Sequence, residues 1–149
     1  MYIIIPLLFS PATPHLITWG VENRLTMIRV IARGAGKGTY FEHRLPGSTM
    51  NPYLALAAMV AAGMDGIKNK LELPPDGNTL NKFGVLPSTL EQSLDALNTS
   101  TVMREYLGDE FVNWFVCAKT KEIECLNEVT EKLGGNSFKA EFDFYSKWI

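Results

Sequence analysis

The chain has 149 residues, of which 46% are hydrophobic and 20% charged, and its formal net charge is −2. That length is a prior for one domain with enough material for a real core, and the composition excludes a disordered or membranous polypeptide. The near-neutral balance gives no electrostatic reason to expect nucleic acid or an anionic membrane surface as a partner.

The start, Met1-Tyr2-Ile3-Ile4-Ile5-Pro6-Leu7-Leu8-Phe9, is apolar but short. It has no charged leading region, Pro6 interrupts it, and it is far below the length that spans a bilayer. A buried strand, a non-native or misjoined start and a weak signal peptide all stay open for residues 1–11, which fit the remainder poorly. Leu16-Ile17-Thr18-Trp19 is β-prone and stops at Gly20. Thr26 to Ile31 alternates, which sets Arg29 and Ile31 on the face opposite Ile28 and Val30. Arg33-Gly34-Ala35-Gly36-Lys37-Gly38 reads as a glycine-rich turn, and Thr39 to Leu45 as the next strand, so the two strands make a hairpin with Lys37 at its tip.

Asn51 caps a helix with Pro52 at its first position, where the missing N–H costs nothing. Tyr53 to Ile67 is apolar nearly all round, the mark of a helix buried inside a larger body. Leu73 to Asn78 is an exposed loop. Ser88-Thr89-Leu90-Glu91 reads as a capping box, with Leu90, Leu94 and Leu97 following at helical spacing. A short helix ends at Gly108. Asp109 caps the longest one, striped by Phe111, Phe115, Ala118, Cys125, Leu126, Val129 and Leu133, and Gly134-Gly135 ends it. Phe138, Phe142, Tyr145 and Trp148 suit a last, docking helix. Strands first and helices after argue an α+β fold. Cys117 and Cys125 fall in one helix at a spacing that suits neither a metal knuckle nor a disulfide, so a reducing, cytoplasmic setting is the default.

Glu42 and Arg44 stand two residues apart on a strand and so share a face. A solvated ion pair is the plain account. The functional one is a metal carboxylate beside an arginine that grips a substrate carboxylate in fork geometry. His43 points to the opposite face, as a satisfied or exposed histidine rather than a ligand. Arg24, Arg29 and Lys37 add three cations around the same hairpin. Surface solubility would explain them, but Arg29 lies in an apolar strand and must find an anionic partner. Several cations beside a metal-binding glutamate is what phosphoryl chemistry demands. Gly36-Lys37 imitates the end of a phosphate loop, but Ile31 and Gly38 break that motif and a strand follows, so the P-loop is rejected.

Trp19-Gly20-Val21-Glu22-Asn23-Arg24, Ile28-Arg29-Val30, Glu42-His43-Arg44, Asn51-Pro52-Tyr53-Leu54-Ala55-Leu56-Ala57 and Gly63-Met64-Asp65-Gly66-Ile67 together resemble the glutamine synthetase family. Leu86 to Leu97 and Leu107 to Phe111 look like its C-terminal helices, so residues 12–149 resemble the C-terminal part of its catalytic domain. The fold this implies is antiparallel strands of a partial catalytic sheet followed by a helical half. The reaction implied is ATP-dependent ligation of ammonia to glutamate through a γ-glutamyl phosphate, with Mg²⁺ or Mn²⁺. Carried over by position, Glu42 ligates the metal, and Arg44 holds the glutamate carboxylate or the transferring phosphoryl group. Arg24 and Arg29 contact substrate and nucleotide phosphates, and Lys37 contacts the nucleotide. The intact protein is expected to be a homo-oligomer.

The pattern departs from the family's at Tyr40, where a second arginine is usual, at Ala12, where a catalytic-loop glutamate is expected, and at Gly47, where Asp is usual. Segments that bring the other metal carboxylates and the metal histidine are not among these motifs. A segment of a ligase, a non-catalytic lengsin-like structural relative, and a ligase for another amine such as a polyamine are the three readings the resemblance allows.

Overall fold

A computed structural model describes residues 16–34, 38–47, 50–73, 75–76 and 84–146. The apolar start, Ala12, Lys37 and Trp148 lie outside them. The chain divides into two compact units, Met1–Ala96 and Leu97–Ile149. Strands lead and helices follow, so the α+β class expected from the sequence holds.

The first unit is built on three short strands, β1 (Trp19–Val21), β2 (Ile28–Ile31) and β3 (Tyr40–His43), in the order β1-β2-β3. β-branched and aromatic side chains supply the strand preference at Trp19, Ile28, Val30, Ile31, Tyr40 and Phe41. β2 and β3 pair antiparallel, as the hairpin pattern requires, with Arg29 opposite Glu42 and Ile31 opposite Tyr40. β1 differs from expectation in two ways. It runs through Gly20 instead of stopping there, and it pairs with β2 in parallel, so the sheet is mixed.

Parallel neighbours ordinarily need a crossover of a dozen or more residues, yet residues 22–27 make this return. Glu22 turns the chain at φ 52°, a left-handed conformation uncommon for a residue with a side chain. Asn23 Oδ1 then accepts the Leu25 N–H at 2.9 Å, an Asx turn. Thr26, only 2% exposed, offers its hydroxyl to the carbonyls of Asn23 at 2.9 Å and Ile28 at 3.0 Å. Thr18 Oγ1 accepts the Met27 N–H at 3.1 Å. The loop fits because residue 20 is glycine. A Cβ there would come within 2.9 Å of Asp76 Oδ1, 3.1 Å of Asn23 Cβ and 3.2 Å of Thr26 Cγ2.

Alternation gives the sheet two unlike faces. One carries Trp19, Ile28, Val30 and Phe41 and borders an open apolar hollow of about 340 Å³ that Met27 and Leu73 also line. The other carries Arg29 and Glu42. A bridge between Leu16 and Val85, with the Ile17 N–H donated to the Gly84 carbonyl at 3.1 Å, fixes the approach to β1.

Helix α1 (Pro52–Lys68) begins as read, with Asn51 accepting the N–H groups of Tyr53 and Leu54 at 3.0 and 3.3 Å and proline in the first turn. It is not the buried helix its composition suggested. Ala55 and Ala61 are its buried residues, while Tyr53, Leu56, Val60, Met64 and Ile67 are all exposed. Helix α2 (Leu90–Thr99) starts one residue away from the expected box. Thr89 accepts the Gln92 N–H at 3.2 Å, and Gln92, not Glu91, reaches back to the Ser88 N–H at 2.9 Å.

The second unit holds α3 (Thr101–Leu107), α4 (Asp109–Lys132) and α5 (Ser137–Tyr145). Gly108, at φ 86°, stands between α3 and α4 and is the N-cap of α4. Asp109 does not cap that helix. It lies in the first turn and accepts from Arg104 at 2.6 Å. Arg104 also donates to the Asn98 carbonyl at 2.6 Å and to Asn113 Oδ1 at 3.0 Å, so one guanidinium ties the two helix junctions. Val112 and Phe115 are the buried residues of α4, whereas Ala118, expected in the stripe, is exposed. Gly134 and Gly135, both at positive φ, close α4 by donating to the carbonyls of Glu131 and Thr130. α5 docks through the fully buried Ala140 and through Tyr145, whose hydroxyl donates to Glu122 Oε1 at 2.6 Å. Phe138 and Phe142, expected to dock, are exposed. Among the described residues no helix is long and apolar enough to cross a membrane, and Cys117 and Cys125 are free thiols.

Candidate active site

Register and alternation together put a charged cluster on one face of the β2–β3 hairpin. Arg29 stands opposite Glu42, and Arg44 follows two residues later with its backbone N–H on the Met27 carbonyl at 3.0 Å. Glu42 pairs through both oxygens: Oε2 accepts from Arg29 Nη1 at 3.2 Å, and Oε1 lies in an ion pair 3.3 Å from Arg44 Nε. Both guanidiniums are mostly covered, their side chains 17% and 18% exposed, while Glu42 at 46% opens to solvent. A carboxylate between two covered cations has its place set by them.

Arg29 has a second partner that the sequence reading did not single out. Glu22 Oε2 accepts from its Nη2 at 2.7 Å, and Glu22 Oε1 accepts the Ala32 N–H at 3.2 Å. The hydrogen bond to Glu22, and after it the one to Glu42, hold the Arg29 guanidinium above even its ordinary high range. Arg29 is therefore a fixed, permanently charged group. Its Nε is buried and finds no acceptor among the described residues, a cost the two charge-assisted bonds to Glu22 and Glu42 must offset. The signal for Glu22 was a glutamate at the end of a strand just before Asn, but its role depends on the left-handed turn that aims it at Arg29.

The other expected residues divide. Arg24 is exposed on the return loop, and no ion pair joins it to Glu22 or Glu42 among the described residues. It does not join the Arg29–Glu42–Arg44 cluster. Lys37 lies outside the described residues. His43 faces away with the apolar side, as alternation required. Burial pushes its imidazole down from the ordinary value, and its Nδ1 lies 3.5 Å from the Leu45 N–H as acceptor. Tyr40, on the same face as Glu42, carries Arg33: the guanidinium lies 5.1 Å from the ring centroid and donates to the phenol oxygen at 3.0 Å.

The donor set fits anions better than it fits a metal. Glu42 is the one carboxylate between the two arginines. Among the described residues no three His, Cys, Asp or Glu side chains come together as a metal cage. A divalent ion at Glu42 would need ligands that these residues do not provide.

Comparisons with known proteins bear on this geometry. Residues 8–135 match the description "glutamine synthetase, catalytic domain". The chain is 42% identical over 132 residues to type-1 glutamine synthetase 2 of Dictyostelium discoideum, covering 83% of this chain and 24% of that protein. It is 42% identical over 120 residues to the glutamine synthetase of Thermus thermophilus, covering 73% of this chain and 27% of the relative. It is also 40% identical over 109 residues to gamma-glutamylethanolamide synthetase GlnA4 of Streptomyces coelicolor, covering 70% and 23%. The chain thus spans about a quarter of the length of these relatives. The match takes in all three strands, the charged hairpin face and four of the five helices through α4. With that extent and identity, the chain belongs to the glutamine synthetase family and corresponds to the C-terminal part of its catalytic domain.

Proposed function

We propose that this chain carries the anion-gripping part of a glutamine synthetase-type site, which ligates ammonia to glutamate with ATP through a γ-glutamyl phosphate. The observation that carries the reading is Glu42 held between Arg29 and Arg44 on one hairpin face, inside a family match covering residues 8–135. Two anions, a carboxylate and a polyphosphate, must meet for this reaction. Fixed cations remove their repulsion without reorganising at the moment of transfer. In this reading Arg44 and Arg24 hold substrate groups and stabilise the transferring phosphoryl, while Arg29 and Lys37 contact the nucleotide. Arg29 suits a standing electrostatic role, since two carboxylates keep it oriented and charged.

The described residues do not by themselves fit the divalent ion the family implies. Glu42 would be one ligand among several, with the rest supplied by other segments or subunits. The chain therefore supplies only part of the active site, in a cytoplasmic homo-oligomer.

A second reading is a non-catalytic, lengsin-like structural relative. It is favoured by the saturation of Glu42 with two guanidiniums and by Gly47 and Tyr40 standing where the resemblance implies charged residues. A chimera separates the two. In it, the matched segment of the Thermus enzyme is replaced by the corresponding residues of this chain, and phosphate release from ATP is followed with glutamate and ammonia. Ligase function predicts glutamate- and ammonia-dependent release that falls by about 10²-fold or more on Arg44→Ala. A folded, assembled chimera with no such release would leave the structural reading standing instead.

A further inference from the structure

Two carboxylates and three guanidiniums meet on the polar side of the β2–β3 hairpin, and they do not balance. Glu22 and Glu42 are engaged by Arg29 and Arg44. Arg33, two residues beyond the end of β2 on the side of Arg29 and Ile31, has only neutral contacts among the described residues, the hydroxyl and ring of Tyr40. An incoming anion would have to displace a carboxylate from Arg29, but not from Arg33.

We propose that Arg33, propped on Tyr40, is a further anion-contacting residue of this face and takes a terminal phosphate oxygen of a polyphosphate; this rests on the nucleotide reading given above. One hydrogen bond to Tyr40 leaves most of the donors of the guanidinium fork unused. The ring holds an otherwise mobile side chain near one place, which lowers the ordering cost when a ligand arrives. The backbone beneath is held as well, because Glu22 accepts the N–H of the preceding residue, Ala32, at 3.2 Å. Arg33 and Tyr40 are both exposed, so the pair is accessible and contributes little to the core. A polyphosphate suits the arrangement better than a lone carboxylate. Its several charged oxygens can engage more than one free donor of the Arg33 fork at once.

The test titrates ATP with Mg²⁺, inorganic tripolyphosphate and glutamate into the 149-residue chain by calorimetry, comparing the native protein with Arg33→Ala, Arg33→Lys, Tyr40→Phe and Tyr40→Leu. Arg33→Ala is expected to weaken ATP and tripolyphosphate about tenfold. Arg33→Lys should recover part of that, Tyr40→Phe should cost little and Tyr40→Leu severalfold, with melting temperatures within a degree or two of native and glutamate binding unmoved. ATP binding unchanged in Arg33→Ala would overturn the assignment and leave the ligase reading intact. Arg33-dependent binding of tripolyphosphate without any of ATP would support the assignment and count against the ligase reading. If neither ligand binds the native chain, the Arg33 assignment falls, while the ligase reading is decided by the chimera.

Discussion

Glu42 is set by its neighbours: two guanidiniums take its two oxygens, and each is more covered than the carboxylate they hold. Removing it leaves Arg29 and Arg44 facing one another as like charges with part of their hydrogen bonding lost. Glu42→Ala is therefore expected to cost about 1 kcal/mol, more than an exposed ion pair is worth and less than a buried one, because Glu42 is half open to solvent. Urea unfolding monitored on the first unit checks it, and a Glu42→Ala protein as stable as native would contradict the pairing. At this scale the shared face of Arg29, Glu42 and Arg44 was legible, because strand alternation and hairpin register are properties of spacing alone. Glu22 and Arg33 were not. One reaches Arg29 only through a left-handed turn, and the other depends on where a tyrosine ring ends up.

Among the elements, Tyr145 joins α5 to α4 through a hydroxyl that donates to Glu122, while Lys119 Nζ lies 2.6 Å from the other Glu122 oxygen. Burial, and after it the bond to Glu122, push the Tyr145 phenol well above its ordinary value. The folded state therefore favours the protonated phenol. The stability this supplies is full below the unfolded pKa of about 10 and is lost as pH rises above it. Tyr145→Phe is expected to lower the stability of the helical unit by about 1 kcal/mol near neutrality. The loss native protein shows above pH 10 should shrink in the variant. Equal decline of both proteins at high pH would remove this role from the hydroxyl. Helix existence was readable from periodicity and from Asn51, Gly108 and Gly134. The Asn51 cap was readable too, but the caps of α2 and α4 were not, because Asp109 was drawn to Arg104 and Gln92 displaced Glu91 as the residue reaching back to Ser88. The parallel β1–β2 pairing was also hidden, since the short return depends on hydrogen bonds of Thr26 and Thr18 and on the close approach at Gly20.

For the molecule as a whole, α1 shows what composition can and cannot say. Its apolar run does form a helix, but Tyr53, Leu56, Val60, Met64 and Ile67 lie exposed along it. Burial is set by what surrounds an element, and the chain spans only about a quarter of its relatives. An apolar stripe of this kind drives association. The 149-residue chain is expected to self-associate at micromolar concentration, and Val60→Glu to reduce that without loss of helix signal; light scattering with circular dichroism would show it, and a native chain that stays monomeric would contradict it. The same chain alone should give no γ-glutamyl transfer with ATP and Mg²⁺ or Mn²⁺, because Glu22 and Glu42, both taken up by arginines, do not build the metal site, and measurable turnover would refute that view of the cluster. The central claim is that the charged side of the β2–β3 hairpin is a polyphosphate-gripping surface. Chemical-shift mapping of ATP with Mg²⁺ on the labelled chain tests it most directly. Perturbations concentrated at Arg29, Arg33, Glu42 and Arg44, with Ile28, Val30 and Phe41 on the opposite face little moved, are the result expected. Shifts confined to the apolar face or scattered over the helical unit would contradict the account.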